Sequence, residues 1–300
     1  MKHRTKTLRA PAKINWVLDL LGIRNDGYTE VATILQTVSL HDEVAVSIEE
    51  GSEGRIALEI DGPKPCPDED NLVVRAARSY FALTGGRMNL RIRLKKNIPT
   101  GAGLGGGSSD AAAVLRALAE FFPESLKDSD LVNLAANLGA DVPFFLTGGL
   151  ALGTGRGDRI ESLPETAPKF IVLVMPKAHL STKEVFAIAR KRLTPRGGSP
   201  NIHRFLGYLR SGEGGSPPSW NALQDAALSL CPEIATWILR LEKAGGRASM
   251  TGSGAAVFGV FENEENATKA YDGLFDGLEA EGARAWRVVT TTRREYESSA

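Results

Sequence analysis

Residues 99–112 read Pro-Thr-Gly-Ala-Gly-Leu-Gly-Gly-Gly-Ser-Ser-Asp-Ala-Ala, with five glycines between positions 101 and 107. A segment with so few side chains can bring its backbone close to a ligand and can adopt positive φ angles without strain. The N–H groups of such a loop, with those of the first turn of a following helix, form a site for a polyanion. This stretch therefore predicts a phosphate-binding loop and a nucleotide-dependent enzyme.

Regular structure is predicted on both sides of the loop. From residue 88 to residue 95 apolar and polar side chains alternate, which is typical of a strand with one buried face. Residues 111–122 carry an apolar stripe at helical spacing, and Ser108 or Ser109 would be the N-cap of this helix. A flexible linker, the other explanation of a glycine run, would be expected between polar segments.

Two familiar nucleotide-binding patterns fit the loop poorly. A P-loop requires Gly-Lys followed by Ser or Thr, and the sequence contains no Gly-Lys dipeptide. Gly101, Gly103 and Gly106 match the dinucleotide pattern Gly-x-Gly-x-x-Gly. However, residues 97–100 separate them from the predicted strand, whereas the dinucleotide-binding turn follows its strand closely.

Two further elements are predicted in the first hundred residues. Residues 44–48 and 56–60 alternate between apolar and polar side chains and are separated by a polar turn, which predicts a β-hairpin. Asp70 or Asn71 can cap a helix that runs from residue 72 to about residue 83.

Length and composition allow one large or two ordinary domains. Lys+Arg and Asp+Glu both number 36, so the zero net charge indicates neither nucleic acid nor an anionic membrane surface as a partner. No apolar run approaches about 18 residues, and Cys66, Cys231 and the histidines show no metal-ligand spacing. We expect a cytoplasmic protein with a small-molecule substrate, without membrane attachment, that is a monomer or a weak dimer.

The glycine loop resembles the second motif of the GHMP kinases, a family named after galactokinase, homoserine kinase, mevalonate kinase and phosphomevalonate kinase. Their shared pattern is Pro-x-Gly-x-Gly-Leu-Gly followed by serines and alanines, as in residues 99–112. The triple glycine at 105–107 before two serines is most similar to one branch, the diphosphocytidyl-methylerythritol kinases.

Three other stretches are similar to motifs of this family and follow the family's order. Residues 11–15, Pro-Ala-Lys-Ile-Asn, resemble the first motif, and residues 138–143, Leu-Gly-Ala-Asp-Val-Pro, resemble the catalytic segment. Residues 250–258 resemble the third motif, whose glycines let two loops approach closely.

The resemblance implies that Lys13 and Asp141 are catalytic and that Asn15 lies beside the substrate. On the sequence alone, Lys13 could equally be a lysine whose charged end reaches solvent at a strand terminus. Asp141 could equally be a turn residue that accepts hydrogen bonds from local N–H groups.

The resemblance implies ATP and Mg²⁺ as cofactors. It implies that ATP is bound by Pro99, Gly101, Gly103, Leu104, Gly105, Gly106, Gly107, Ser108 and Ser109. Asn71 lies in an Asp-Asn-Leu segment similar to one near the adenine pocket of the family. No protein side chain is firmly assigned to the metal, although Ser108 or Ser109 could be a ligand.

A cytidine pocket formed by Tyr28, Thr29 and Phe186 is also implied. The family has Gly-Tyr-His where this chain has Gly27-Tyr28-Thr29, so a hydroxyl replaces an imidazole ring. An aromatic residue of the family stacks on cytosine near the position of Phe186, which lies on a predicted helix. By their residue types, Tyr28 and Phe186 could equally be packed in the core.

The implied fold is α+β, a GHMP kinase fold with a ribosomal-protein-like N-terminal domain and a ferredoxin-like C-terminal domain. The active site is expected in the cleft between them. The chain becomes polar and proline-containing near residues 161–168, so we place the domains at residues 1–163 and 164–300. The implied activity is ATP-dependent phosphorylation of the 2-hydroxyl of 4-diphosphocytidyl-2-C-methyl-D-erythritol, in the methylerythritol phosphate route to isoprenoid precursors.

Three alternatives stay open. A homoserine or mevalonate kinase would share the loop but would need neither Tyr28 nor the triple glycine. A dinucleotide oxidoreductase would explain the spaced glycines but would give Lys13 and Asp141 no role. A non-catalytic nucleotide-binding relative would not need the Lys13–Asp141 pair.

Overall fold

The computed structural model describes residues 4–49, 51, 53–62, 64, 66–193, 197–212, 215–278 and 281–298. The first half of the chain contains β1 (Arg4–Ile23), β2 (Thr29–Glu49), β3 (Ile56–Asp61), α1 (Leu72–Thr84), β4 (Asn89–Lys95), α2 (Gly106–Phe121), α3 (Asp128–Leu138), α4 (Phe144–Thr147), β5 (Leu150–Thr154) and β6 (Arg159–Ser162). The second half contains β7 (Phe170–Met175), α5 (Thr182–Lys191), α6 (Pro200–Ser211), β8 (Trp220–Asn221), α7 (Gln224–Leu230), α8 (Glu233–Lys243), β9 (Arg247–Met250), β10 (Val257–Phe261), α9 (Glu264–Leu278), β11 (Arg284–Val289) and α10 (Arg293–Ser298).

The first sheet is built around the long antiparallel ladder of β1 and β2. Its main path runs β3-β4-β2-β1-β8, while β5 pairs with β2 and β6 pairs with β5. The β1–β2 register shifts between Pro11 and Lys13 and again between Asn15 and Val17. Register shifts of this kind locally bend a strand and re-aim its side chains. Residues 13–15, where the first motif lies, therefore form a short paired segment between two irregularities of the ladder.

The predicted hairpin of residues 44–48 and 56–60 is wrong. In the described residues β4 lies between β2 and β3, so that Ile92 is opposite both Val46 and Leu58. The β2–β4 pair is antiparallel and the β3–β4 pair is parallel. Alternation predicted each strand and the buried face of β4, but a half-buried strand pattern does not specify which strand is its neighbour.

The helices α1 and α2 pack against each other, and α2 also packs on β1 and β2. As predicted, the Asn71 side chain caps α1, accepting a 3.1 Å hydrogen bond from Val73 N. The predicted N-cap of α2 is wrong, because the helix begins at Gly106 and its N-cap is Gly105 with φ 73°. Glycine adopts this left-handed conformation readily, so Ser108 and Ser109 lie inside the first helical turns.

The second sheet confirms the ferredoxin-like arrangement. In the described residues its four strands are antiparallel in the order β11-β7-β10-β9. Helix α8 precedes β9 and helix α9 follows β10, and both pack on the sheet. With α5 to α7 and β8 inserted after β7, this is the βαββαβ sequence of that fold.

A shared apolar core joins the two sheets. The ring of Trp16 on β1 meets the ring of Phe258 on β10 edge-on, with centroids 5.6 Å apart. Strand β8 returns from the second half to pair in parallel with β1. The connection between Ser162 and Phe170 contains the proposed boundary at residues 163/164, whose exact position stays a prediction. No helix in the described part of the chain has the length and hydropathy needed to cross a bilayer.

Candidate active site

A cavity of about 330 Å³ lies between the glycine loop and the first turns of α1 and α2. Its wall contains all but one of the residues predicted to bind the nucleotide: Asn71, Pro99, Gly101, Gly103, Leu104, Gly105, Gly106, Gly107 and Ser108. The exception is Ser109, whose side chain is fully buried and whose Oγ has no hydrogen-bond partner within the described structure. The structure therefore brings together the predicted loop, helix terminus and Asn71.

Two glycines let the second and third motifs touch through their backbones. Gly103 has φ 76°, and a Cβ there would lie 2.6 Å from Thr251 O. Gly252 has φ 56°, and a Cβ there would lie 2.7 Å from Gly103 O. Atoms this close overlap, so only glycine is compatible with either position. The close approach of two loops that the resemblance implied is thus present.

Gly107 differs from these glycines. Its φ is not in the left-handed region, and a Cβ there would meet only Leu72 Cδ1, at 3.8 Å. That distance is an ordinary van der Waals contact. Packing of the protein therefore does not demand a glycine at this position, where the backbone borders the cavity.

Lys13 is buried where the first motif meets the glycine loop. Its side chain is 3% exposed, and its backbone N donates to Leu104 O at 2.9 Å. The ammonium donates to Asn15 Oδ1 at 2.6 Å and lies 3.9 Å from Asp141 Oδ2. Burial lowers the pKa of Lys13 from its ordinary value, and the Asp141 carboxylate opposes this shift.

The Asn15 side chain links the first motif to the third. Its Oδ1 accepts from Lys13 Nζ, from Gly252 N at 3.0 Å and from Thr251 Oγ1 at 3.3 Å. Its Nδ2 donates to Thr33 Oγ1 at 2.8 Å. These contacts orient the lysine ammonium, and they engage both polar ends of the asparagine with the protein itself.

Asp141 lies in the turn between α3 and α4. Its side chain is 37% exposed, in contrast to the buried lysine beside it. Two residues earlier, a Cβ at Gly139 would lie 3.9 Å from Ser108 Oγ, so this turn borders the start of α2. The turn that contains Asp141 therefore lies beside the start of α2, and Lys13 lies against the glycine loop, but neither side chain forms part of the cavity wall.

A buried ionic cluster braces the other side of the loop. Lys96 Nζ lies 2.8 Å from Asp110 Oδ2 in α2 and also bonds to the Asp42 carboxylate. Asp42 in turn accepts from Ile98 N at 2.8 Å. Burial raises the pKa of Asp110 to about 8, against the opposing effect of the Lys96 ammonium. This cluster ties the end of β4 to the first turns of α2.

The three predicted cytidine-binding residues lie outside this cavity. Tyr28 is 54% exposed, with the Arg156 guanidinium 5.0 Å from its ring centroid. Thr29 is 3% exposed, and its hydroxyl accepts from Arg190 Nε at 2.7 Å. Phe186 is half-buried on α5, one turn before Arg190, and packs partly against the core of the second domain.

Oxygen donors for a metal are few. Within the described residues no group of three or more His, Cys, Asp or Glu side chains is arranged to hold a metal ion. Beside the start of α2 the available oxygens are the Ser108 hydroxyl, in the cavity wall, and the Asp141 carboxylate, in the adjacent turn. Mg²⁺ often takes only one or two protein ligands, together with water and substrate phosphates, so this donor set fits Mg²⁺ bound with a nucleotide.

Comparison with known proteins identifies the family of this chain. The model of the GHMP kinases N terminal domain matches residues 71–149, and that of the GHMP kinases C terminal domain matches residues 206–279. A 4-diphosphocytidyl-2-C-methyl-D-erythritol kinase from Pelotomaculum thermopropionicum is 40% identical over 264 residues, covering 87% of this chain and 91% of the relative. The chain belongs to the 4-diphosphocytidyl-2-C-methyl-D-erythritol kinase family.

Two further relatives agree with this family. A protein of the same name from Desulfotalea psychrophila is 41% identical over 268 residues, which is 87% of each chain. A crystal structure of a 4-(cytidine 5'-diphospho)-2C-methyl-D-erythritol kinase, 37% identical, gives a TM-score of 0.78 and covers 95% of this chain and 99% of its own. The protein is an ATP-dependent small-molecule kinase, and the expected α+β GHMP kinase fold is confirmed.

Sequence reasoning missed several residues of this kinase site. Lys96 and Asp110 line the cavity, although none of the sequence motifs indicated either residue. Arg190 donates a hydrogen bond to the Thr29 hydroxyl. The sequence feature that could have indicated this role is its position four residues after Phe186, on the same helix face.

Proposed function

We propose that this kinase transfers the γ-phosphoryl group of ATP to the 2-hydroxyl of 4-diphosphocytidyl-2-C-methyl-D-erythritol, in the methylerythritol phosphate pathway of isoprenoid precursor synthesis. The relatives named above support the substrate. The observation on which the proposed chemistry rests is the Lys13–Asp141 pair, with 3.9 Å between Nζ and Oδ2. Its lysine lies against the glycine loop that lines the cavity.

The glycine loop is suited to hold the phosphates of ATP. Its backbone N–H groups and the positive end of the α2 dipole favour a polyanion. Gly105, Gly106 and Gly107 expose this backbone to the cavity without side chains, and Asn71 places the start of α1 opposite them. Mg²⁺, when bound through Ser108 or Asp141, would supply neutralisation of phosphate charge.

Asp141 is suited to accept the proton of the attacking hydroxyl. Phosphoryl transfer needs little covalent work from the protein, but it needs an oriented nucleophile and stabilised negative charge. The partly exposed carboxylate can reach a bound alcohol, which is the first requirement of a general base. The buried Lys13 ammonium, held by Asn15, would stabilise the developing alkoxide and the moving phosphoryl group.

Substrate recognition is assigned to Asn15, Tyr28, Thr29 and Phe186. Tyr28 exposes its ring for stacking on a base, and Phe186 lies on α5 in the second domain. Thr29 would act by holding Arg190, because its own hydroxyl is buried and engaged. Asn15 would act chiefly by orienting the neighbouring lysine, since both ends of its side chain are engaged.

The experiment is an ADP-release assay with ATP and Mg²⁺ against four alcohols: the cytidylated methylerythritol, uncytidylated methylerythritol phosphate, homoserine and mevalonate. ADP release with the cytidylated alcohol alone is the expected result. Release with homoserine or mevalonate instead would keep the kinase and overturn the proposed substrate.

The same assay tests the base. Asp141→Asn should lower kcat by roughly 100- to 10,000-fold, the usual contribution of a positioned general base, while ATP binding persists. Asp128→Asn, at an exposed carboxylate in the first turn of α3, is the matched control and should behave as wild type. Full turnover of Asp141→Asn with ATP still bound would refute the assignment.

A further inference from the structure

Thr291, in the segment before α10, is hydrogen-bonded to Thr37 on β2, the strand that pairs with β1 at Lys13. Thr291 N donates to Thr37 O at 2.9 Å, and the two threonine hydroxyls lie 2.8 Å apart. In the β1–β2 ladder Thr37 is directly opposite Lys13. Thr37 is fully buried, so this attachment reaches the back of the first motif from the far end of the chain.

The same segment is joined to α4 through Tyr296. The Tyr296 hydroxyl donates to the backbone carbonyl of Phe145. The Tyr296 ring is buried. It packs so closely on Gly148 that a Cβ at that position would overlap the ring. The Arg116 guanidinium lies over the ring, 4.2 Å from its centroid. Gly148 ends α4 and Arg116 belongs to α2, so the tyrosine lies between the two helices that border the site.

Phe145 connects this contact to the reacting groups. A Cβ at Gly105 would lie 2.9 Å from the Phe145 ring and 3.1 Å from Lys13 Cγ, so the ring lies directly against the loop and beside the lysine. Phe145 N donates to Val142 O at 3.1 Å. The position of Phe145 is therefore linked to the turn that contains Asp141.

We propose that Tyr296 is a positioning residue for phosphoryl transfer, which holds α4 so that the Asp141 carboxylate stays beside the Lys13 ammonium. The role attributed to Asp141 and Lys13 rests on the proposed function. Tyr296 touches no reacting atom, so it acts through geometry alone. Small displacements of reacting groups are costly, because a misplacement of about 1 Å can lower a rate about 100-fold.

The test is Tyr296→Phe, which removes the hydroxyl and keeps the ring against Gly148 and Arg116. The matched control is Tyr208→Phe on α6, whose hydroxyl also donates to a backbone carbonyl, that of Gly215. We expect Tyr296→Phe to lower kcat by about 10- to 100-fold. Its KM values and its affinity for ATP should stay within about two-fold of wild type, the signature of an interaction needed only for the chemical step.

Hydrogen exchange of the full chain adds a readout that needs no turnover. Amides of residues 138–149 should exchange faster in Tyr296→Phe than in wild type, and Tyr208→Phe should leave them unchanged. Unaltered exchange there overturns the inference, whichever alcohol the enzyme uses. An unchanged kcat, or a loss of kcat together with ATP affinity and melting temperature, also overturns it, since the latter describes a tyrosine needed only for folding. A wild type inactive toward the cytidylated alcohol counts against the proposed function, and the exchange result still decides this proposal.

Discussion

Gly107→Ala adds a methyl group at a point of the glycine loop where the protein leaves room for it. The nearest atom to the new Cβ would be Leu72 Cδ1 at 3.8 Å, and no left-handed φ has to be maintained. Gly107 is the second residue of α2, where alanine is favoured over glycine by about 0.5–1 kcal/mol. The free energy of unfolding should therefore stay the same or rise, with a Tm higher by about 1–4 °C.

Nucleotide binding should respond in the opposite direction. The methyl group would project beside a backbone N–H that borders the cavity. It would hold a phosphate oxygen away from the roughly 2.9 Å distance that this hydrogen bond requires. A hydrogen bond to a charged group contributes about 1.5–3 kcal/mol, so the Kd and KM for ATP should rise by about 10- to 150-fold.

Three measurements distinguish binding from folding: thermal melting, calorimetric titration of a non-hydrolysable ATP analogue, and ADP release at varied ATP. Gly207→Ala is the matched control, because Gly207 lies in the middle of α6 with no atom within 4 Å of its added Cβ. It should raise Tm similarly without affecting ATP. If Gly107→Ala is at least as stable as wild type and its KM for ATP is unchanged, the phosphates do not lie against this residue. If it melts several degrees lower, the packing argument itself is wrong.

Two other substitutions test the surroundings of the loop. Gly252→Ala should lower Tm by several degrees and abolish ATP binding, because its Cβ would lie 2.7 Å from Gly103 O. The left-handed backbone conformation of an alanine also costs about 1–2 kcal/mol of folding free energy. A stable variant that binds ATP would contradict the backbone contact. Asp110 has a pKa raised to about 8, so the folded protein binds this proton more tightly than the unfolded chain does. The free energy of unfolding should therefore fall as pH rises from about 4 to about 8, by at most about 1.4 kcal/mol per pH unit. Urea unfolding at pH 6, 7 and 8 should show a smaller decline for Asp110→Asn than for wild type, and equal slopes in both would refute the assignment.

The sequence predicted those features that are decided by local pattern. The strand before the loop and the Asn71 cap of α1 follow from side-chain periodicity and capping chemistry, which act over a few residues. The position of the glycine loop beside a cavity agrees with the prediction from its glycine content, and the order of the motifs indicated the family. These parts required no knowledge of tertiary contacts.

The remaining parts depend on contacts between residues far apart in the chain. The pairing of β4 with β2 and β3 replaced the expected hairpin, because burial rather than sequence proximity decides strand neighbours. Gly105 rather than a serine begins α2, since a positive φ is not visible in a glycine-rich sequence. The bond from Tyr296 to Phe145 spans 151 positions, and no local pattern indicates it.

The contact between Gly103 and Gly252 also has a consequence for synthesis of the protein. Chains leave the ribosome from the N-terminus, so the glycine loop emerges well before residues 250–254, which supply the hydrogen-bond partners of Asn15 and thereby fix Lys13. A nascent chain that has reached only residue 240 has the phosphate-binding segment without the groups that orient its lysine. The hydrogen bonds that orient Lys13 can therefore form only after residues 250–254 have been translated.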